Sequence, residues 1–531
     1  MASTIPRGDR EQDAASESPP GEGRHDPEAS LGWAAASVAG IVAAATVLGV
    51  GHLVAAIIGP AASPFFALGA AMVDRTPHAL KDVAIRWFGS NDKTALFATM
   101  GAVMLLGAAL IGIFERRRRW GSGLLVVVGA VAMAAALGRP TADAYFAVPA
   151  LAGTIAGVLA LRLLVTGSVR PEPKTGALSR RAFLTAVVGV GAVAVGAGAA
   201  GRWLGTRLHD VAADRARFLL PRADHAVPGP GAAQAPVDGI TPFVTPVERF
   251  YRVDTALQLP ALTSSEWRLR IHGMVDRPVE FDFDLLRTRR AIARMITLTC
   301  VSNEVGGDLA GTAVWTGYPL AELLGEAGIH PDADMLLSRS VDGFTASTPV
   351  SAILDGRDAL LAVGMNGAAL PIEHGYPARL VIPGLYGYVS ATKWVVDLEL
   401  TRFDRARAYW TQRGWGADAP IKTASRIDVP AAFATVAAGT VTVAGVAWAQ
   451  HRGIDTVEVQ VDDQPWRPAT LAGEYSEDTW RQWFWRWEAS TGTHTLRVRA
   501  RDRDGIVQTD RRAPPFPDGS TGWHSRVVTV R

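Results

Sequence analysis

Apolar side chains are distributed in two contrasting ways along the chain. Up to about residue 205 they come in long unbroken runs, at roughly 32–58, 94–114, 122–138, 143–165 and 182–204. Each run approaches the roughly 20 residues that carry a helix across a hydrocarbon core. Several such runs in series argue for membrane spans rather than buried soluble helices. A further segment near 60–73 is broken by Pro60 and Pro64, and reads as the end of the first span or an interfacial piece. Basic residues then set the orientation. Arg116, Arg117, Arg118 and Arg119 separate the second and third runs, and Arg170, Lys174, Arg180 and Arg181 separate the fourth and fifth. Basic loops stay on the cytoplasmic side. Five spans therefore predict a multi-pass cell-membrane protein with its N-terminus in the cytoplasm and everything after about 205 outside, although Arg202 and Arg207 then lie on the outer side. Residues 1–30 are polar, rich in Pro, Gly, Ser and charge, and read as a disordered cytoplasmic tail.

Beyond a Pro- and Ala-rich linker at 206–240 the texture becomes globular. Trp267 to Gly273 alternates apolar and polar positions and predicts a strand; Phe281 to Leu286 predicts a strand edge passing into a short helix. Met295 to Cys300 is β-rich and mostly apolar, as in a buried strand. Thr316 to Ala327 predicts a helix with Leu320, Leu323 and Leu324 on one stripe, and strands are expected near 335–340, 378–383 and 394–401. Together these predict an α+β domain over 241–415. From 420 to 531, short strands at Val441–Trp448, Val457–Val461, Trp483–Trp487, Leu496–Ala500 and Val527–Val530 predict a β-sandwich.

Composition narrows the chemistry. A net charge of +2 gives no general affinity for nucleic acid. A single cysteine, Cys300, excludes an intrachain disulfide framework and any site built from several thiolates. By residue type alone Cys300 is a small buried apolar group. His52 is the one histidine within an apolar run, so paired axial ligands for a membrane haem are lacking and no haem is expected in this chain. Ser179-Arg180-Arg181-Ala182-Phe183-Leu184 ahead of an apolar run resembles the twin-arginine export motif, a route for domains folded around a cofactor before export.

Thr299-Cys300-Val-Ser-Asn303, Trp315-Thr-Gly-Tyr-Pro-Leu320 and Ser340-Val-Asp-Gly-Phe344 together resemble the molybdenum-cofactor domain of the sulfite oxidase family. The most specific part is Met365-Asn366-Gly-Ala-Ala-Leu-Pro371, followed by His374-Gly-Tyr-Pro-Ala-Arg379-Leu-Val-Ile-Pro-Gly384 and Ser390-Ala-Thr-Lys393-Trp394. The sandwich, with its closing Gly522-Trp523-His524, resembles that family's immunoglobulin-like dimerisation domain. The likeness runs over roughly 240–531. It implies molybdenum bound by one molybdopterin, with Cys300 as the protein thiolate on the metal. It implies pterin contacts from Asn303, Asp342, His374, Arg379, Thr392 and Lys393, homodimerisation through the sandwich, and a separate electron-transfer partner. No general acid or base is assigned; Tyr386 and Tyr388 precede Lys393 in a glycine-containing loop. The expected reaction is a two-electron oxygen-atom transfer on a small sulfur-containing or related substrate. The alternatives are a sulfoxide reductase acting on envelope proteins and a membrane-tethered binding protein without cofactor.

Two departures from the family pattern stand out. Phe250-Tyr-Arg252-Val-Asp254-Thr255 replaces a Phe-x-x-Arg-Asn-His run. Val305, preceded by Glu304, stands where animal and plant sulfite oxidases carry an arginine that helps hold the anion. That exchange argues against an anionic substrate.

Overall fold

A computed structural model describes residues 31–76, 92–139, 142–166, 180–208 and 210–531. The expected tail at 1–30, and Arg170 and Lys174 of the second basic loop, lie outside the described residues.

Among the described residues, five helices are long and apolar enough to cross a membrane. They are α1 (Trp33–Ile58), α3 (Asp92–Arg118), α4 (Trp120–Leu137), α5 (Val148–Thr166) and α6 (Arg180–Leu208). The Pro-broken piece forms a helix of its own, α2 (Pro64–Arg75), with Pro64 in the first turn where its missing N–H costs nothing. Helix α1 is the hub and packs on α3, α5 and α6. Small residues make that possible: a Cβ at Gly40 would lie 2.0 Å from the Ala108 carbonyl oxygen on α3.

The stretch at 206–240 folds onto the globular part instead of hanging free. It opens with α7 (Val211–Arg217), whose Arg215 donates to the carbonyls of Leu370 and Ala369 at 2.7 and 2.9 Å. Asp214 accepts from the Ser264 backbone N–H at 2.6 Å and from the Tyr376 hydroxyl at 2.5 Å. Its polar side chains thus find partners on the domain, which composition alone does not reveal.

The α+β domain holds two sheets. One has the order β2-β1-β10-β5-β6, formed by β1 (Leu269–Gly273), β2 (Val279–Phe281), β5 (Met335–Ser340), β6 (Thr345–Pro349) and β10 (Val395–Thr401). The other has the order β3-β4-β7-β8 with β9 beside β7. Its strands are β3 (Ile292–Thr299), β4 (Ala310–Pro319), β7 (Leu360–Met365), β8 (Ala368–Ala369) and β9 (Arg379–Val381). The helix expected from Thr316 starts later, as α8 (Leu320–Ala327) with Leu320, Leu323 and Leu324 buried. Thr316 to Pro319 belong to β4 because β4 lies between β3 and β7, and the ladder outweighs the helical stripe.

The C-terminal sandwich pairs β11 (Ala424–Val429), β13 (Gly439–Trp448), β17 (Arg481–Ala489) and β16 (Thr470–Leu471) in one sheet. The other sheet runs β12 (Thr435–Val436), β19 (His524–Val530), β18 (Gly492–Asp502), β14 (Ile454–Val461) and β15 (Arg467–Pro468). Val446, Trp448 and Trp480 join the core of the α+β domain, so the seam between the two units is apolar, while the sandwich keeps its own core around Val443, Trp483 and Val528.

Candidate active site

Strand β3 leads directly into Cys300, which is 8% exposed. The turn after it is fixed by backbone bonds: the Cys300 N–H donates to the Leu309 carbonyl at 2.9 Å, and the Asn303 N–H donates to the Cys300 carbonyl at 3.1 Å. Asn303 Oδ1 accepts from the Leu309 N–H at 2.9 Å, pinning the loop from inside.

The sandwich holds this loop from outside. Gln450 donates to the Thr299 hydroxyl at 2.9 Å and to the Thr297 carbonyl at 3.2 Å. Arg426 donates to the Gly307 carbonyl at 2.7 Å, and the Ser520 hydroxyl to the Asn303 carbonyl at 2.6 Å. The His524 ring lies against Gly306, which has φ +82°; a Cβ there would sit 2.3 Å from the ring. Burial, and then the charges of Arg526 and Arg426, hold that imidazole down at about 4, so it is neutral at physiological pH. Gly306→Ala is expected to cost about 2 kcal/mol through overpacking and left-handed strain. It should lower the melting temperature. A variant that melts like the parent would show that the contact with His524 does not brace the loop.

Cys300 opens on a cavity of about 120 Å³ lined also by Tyr251, Asp342, His374, Arg379 and Lys393. His374 sits in a 3₁₀ turn, Ile372–His374, ahead of β9. Burial, with help from Arg379 and Lys393, lowers its imidazole to about 4. Arg379 begins β9 and is 5% exposed. Its guanidinium donates to the carbonyls of His374, Leu380 and Ala391 and stacks 4.9 Å over the Trp315 ring. No carboxylate among the described residues pairs with it. Burial brings it down to about 10, so it remains charged. Lys393 lies 2.8 Å from Asp254 and donates to the Glu373 carbonyl at 3.0 Å; burial lowers it to about 8. Burial pushes the Cys300 thiol up and raises the Tyr251 phenol, which the nearby Cys300 charge raises further.

The fold thus gathers Cys300, Asp342, His374, Arg379 and Lys393 around one space. Two other sequence-predicted residues lie off it. Asn303 serves the loop and lines a separate cavity of about 390 Å³ next to the sandwich. Thr392 turns toward β5, its hydroxyl 2.7 Å from that of Ser338. Tyr388 lines the Cys300 cavity, whereas Tyr386 lines the larger one. Sequence reasoning missed Tyr251 and Asp254 as cavity residues. They stand in the run that departs from the family pattern, and that departure was the available signal.

The residues fit an anionic, flat, polar ligand. A buried guanidinium without a carboxylate, a buried ammonium and a neutral imidazole face a thiol across a space too small for bulk water to screen them. That donor set suits the phosphate and pterin ring of molybdopterin, and a soft thiolate suits its metal.

Fold and site define a molybdopterin-binding oxidoreductase domain with an immunoglobulin-like sandwich behind it. Residues 256–410 match the oxidoreductase molybdopterin binding domain family, and residues 424–498 match the bacterial Ig domain family. The chain is similar to sulfite oxidase of Gallus gallus, at 28% identity over 289 residues, covering 46% of this chain and 62% of that protein. It is also similar to the uncharacterized oxidoreductase YuiH of Bacillus subtilis, at 28% over 151 residues, covering 28% of this chain and 73% of YuiH. Among solved structures it resembles the sulfane dehydrogenase SoxCD from Paracoccus pantotrophus, with TM-score 0.48 and 24% identity over 54% of this chain and 84% of that one. Residues 256–410 are thus similar to the molybdopterin domain of sulfite oxidases. The alignments span 62% of the chicken protein and 54% of its human counterpart.

Proposed function

We propose that this chain is a membrane-anchored oxidoreductase. In this reading molybdenum–molybdopterin sits in the Cys300 cavity, and the catalytic domain stands outside the cytoplasmic membrane. The single observation that carries the cofactor assignment is buried, carboxylate-free Arg379 facing the same cavity as Cys300. When bound, the cofactor supplies two-electron oxygen-atom transfer. The chain's own residues do the rest. Cys300 provides the metal thiolate, and Arg379 and Lys393 hold the anionic end. His374 and Asp342 orient the ring, and Trp315 keeps Arg379 in place from behind.

Asn303 acts by positioning the thiolate loop. The separate 390 Å³ cavity on the far side of that loop is the substrate approach. Val305 and exposed Glu304 line it, and its cations are occupied: Lys422 by Asp518 at 2.8 Å and Arg452 by Asp502 at 3.0 Å. An uncharged sulfur substrate suits those walls better than sulfite. The same walls favour, as a second reading, reduction of a sulfoxide. A separate one-electron partner and self-association through the sandwich remain part of the proposal.

Metal analysis of the full chain, expressed in a host that makes molybdopterin, tests the cofactor assignment. Near-stoichiometric molybdenum with a releasable pterin is expected. Less than about a tenth of an equivalent of metal would overturn the enzyme reading in favour of a tethered binding protein.

A further inference from the structure

A third cavity, of about 680 Å³, lies where the apolar helices meet the catalytic domain. Its floor is apolar: Ile57 and Ile58 end α1, Phe66 and Val73 belong to α2, and Phe146 precedes α5. Ile57 both lines the cavity and is 66% exposed, so its side chain spans the cavity wall and the outer surface of the helices. Its roof is polar and comes from the catalytic domain: Arg339, Tyr409, Gln412 and Arg413.

A clasp around Asp74 holds floor and roof together. Arg139, just past α4, lies 3.3 Å from Asp74 and donates to the Asp342 carbonyl at 2.9 Å. The Tyr409 hydroxyl donates to Asp74 at 3.1 Å. This space and the Cys300 cavity share Thr255, Asp342 and Phe344, so one layer of side chains separates them.

We infer that this cavity binds an isoprenoid quinone, which enters from the bilayer and exchanges electrons with the cofactor site. The inference rests on the proposed use of the Cys300 cavity. The volume falls within the range of small-molecule sites. A quinone ring is flat and apolar with two carbonyl acceptors, and the roof offers guanidinium and amide donors for them. Its tail needs an apolar exit, and the floor around Ile57 provides one. An anionic phospholipid would be drawn by the same guanidinium groups, but it makes no use of the wall shared with the Cys300 cavity.

The chemistry balances in both directions. In oxidation, substrate X takes its oxygen from water: X + H2O gives XO with two protons and two electrons. The quinone takes up two electrons and two protons to become quinol. A sulfoxide reductase would run the sum backwards, with quinol as reductant.

The test uses a short-tailed azidoquinone photolabel on the full chain in detergent, prepared both from a host that makes molybdopterin and from one that does not. Labelling is expected on peptides around Ile57–Val73 and Tyr409–Arg413 in both preparations, displaced by decylubiquinone and not by phosphatidylglycerol mixed micelles. Val73→Trp, which fills the floor, should cut labelling at least tenfold while molybdenum content stays at the parent level. Tyr409→Phe, which removes one bond of the clasp on Asp74, should weaken quinone competition severalfold. Displacement by phospholipid alone, or labelling confined to other segments, overturns the inference. Labelling of the cavity together with an absence of molybdenum even in the preparation from the molybdopterin-making host would uphold the quinone site and sink the cofactor reading, so the two failures are distinguishable.

Discussion

Cys300→Ser is expected to leave purified protein with molybdenum near background and no turnover, at a melting temperature close to that of the parent. The two halves of that expectation have different physical origins. The turn around Cys300 is built from backbone bonds to Leu309 and Asn303 and from the sandwich side chains that reach Gly307 and Asn303. None of these uses Sγ, and a serine oxygen can also accept the bonds that Ser302 makes to Sγ, so exchanging sulfur for oxygen disturbs little of the fold. What disappears is a soft, polarisable ligand, and a serine hydroxyl is a poor substitute on a thiophilic centre. Metal analysis, calorimetry and activity on one preparation check all three quantities. Full metal occupancy with retained turnover would remove Cys300 from the metal.

Arg379→Met should separate cofactor retention from stability in the opposite way to an ordinary core substitution. The guanidinium is buried, held only by backbone carbonyls and an indole face, and lacks a carboxylate. A buried charge without a counter-charge is expensive, and methionine relieves that cost while orphaning the carbonyls. The two effects oppose each other, and the net change in apo stability is expected within about 1 kcal/mol. Cofactor retention, by contrast, should fall on the order of 100-fold, because charge-assisted bonds to a buried phosphate are lost. Pterin release followed by fluorescence, against thermal melts of the cofactor-free protein, reads both. A variant that keeps its pterin, or an apo protein that collapses, would show that Arg379 is structural.

Much of the architecture is legible in the sequence because it depends on local patterning. The long apolar runs become α1, α3, α4, α5 and α6, and the alternating segments become strands. Where pattern and ladder compete, the ladder decides, as at Thr316 to Pro319. The site divides along the same line. His374, Arg379 and Lys393 stand in a compact run whose spacing carries the resemblance, and the fold delivers them together with Cys300 and Asp342.

Asn303 and Thr392 share the same motifs but face other ways, toward Leu309 and Ser338, because neighbours in sequence alternate in direction along a loop or strand. Tyr251 and Asp254 were masked by the departure of their segment from the family pattern. The clasp at Asp74 and the brace from Arg426, Ser520 and His524 are contacts between distant segments, and nothing local marks either partner.

The brace has a consequence for the order in which the site can be completed. Strand β3 and Cys300 leave the ribosome long before β19, yet the outer wall of the thiolate loop includes the His524 ring at the start of that last strand. A chain that stops before His524 possesses every residue that lines the Cys300 cavity but not the wall behind its thiolate loop. The sandwich thereby sets a sequence of events: the Cys300 loop gains its outer wall only once translation has passed His524.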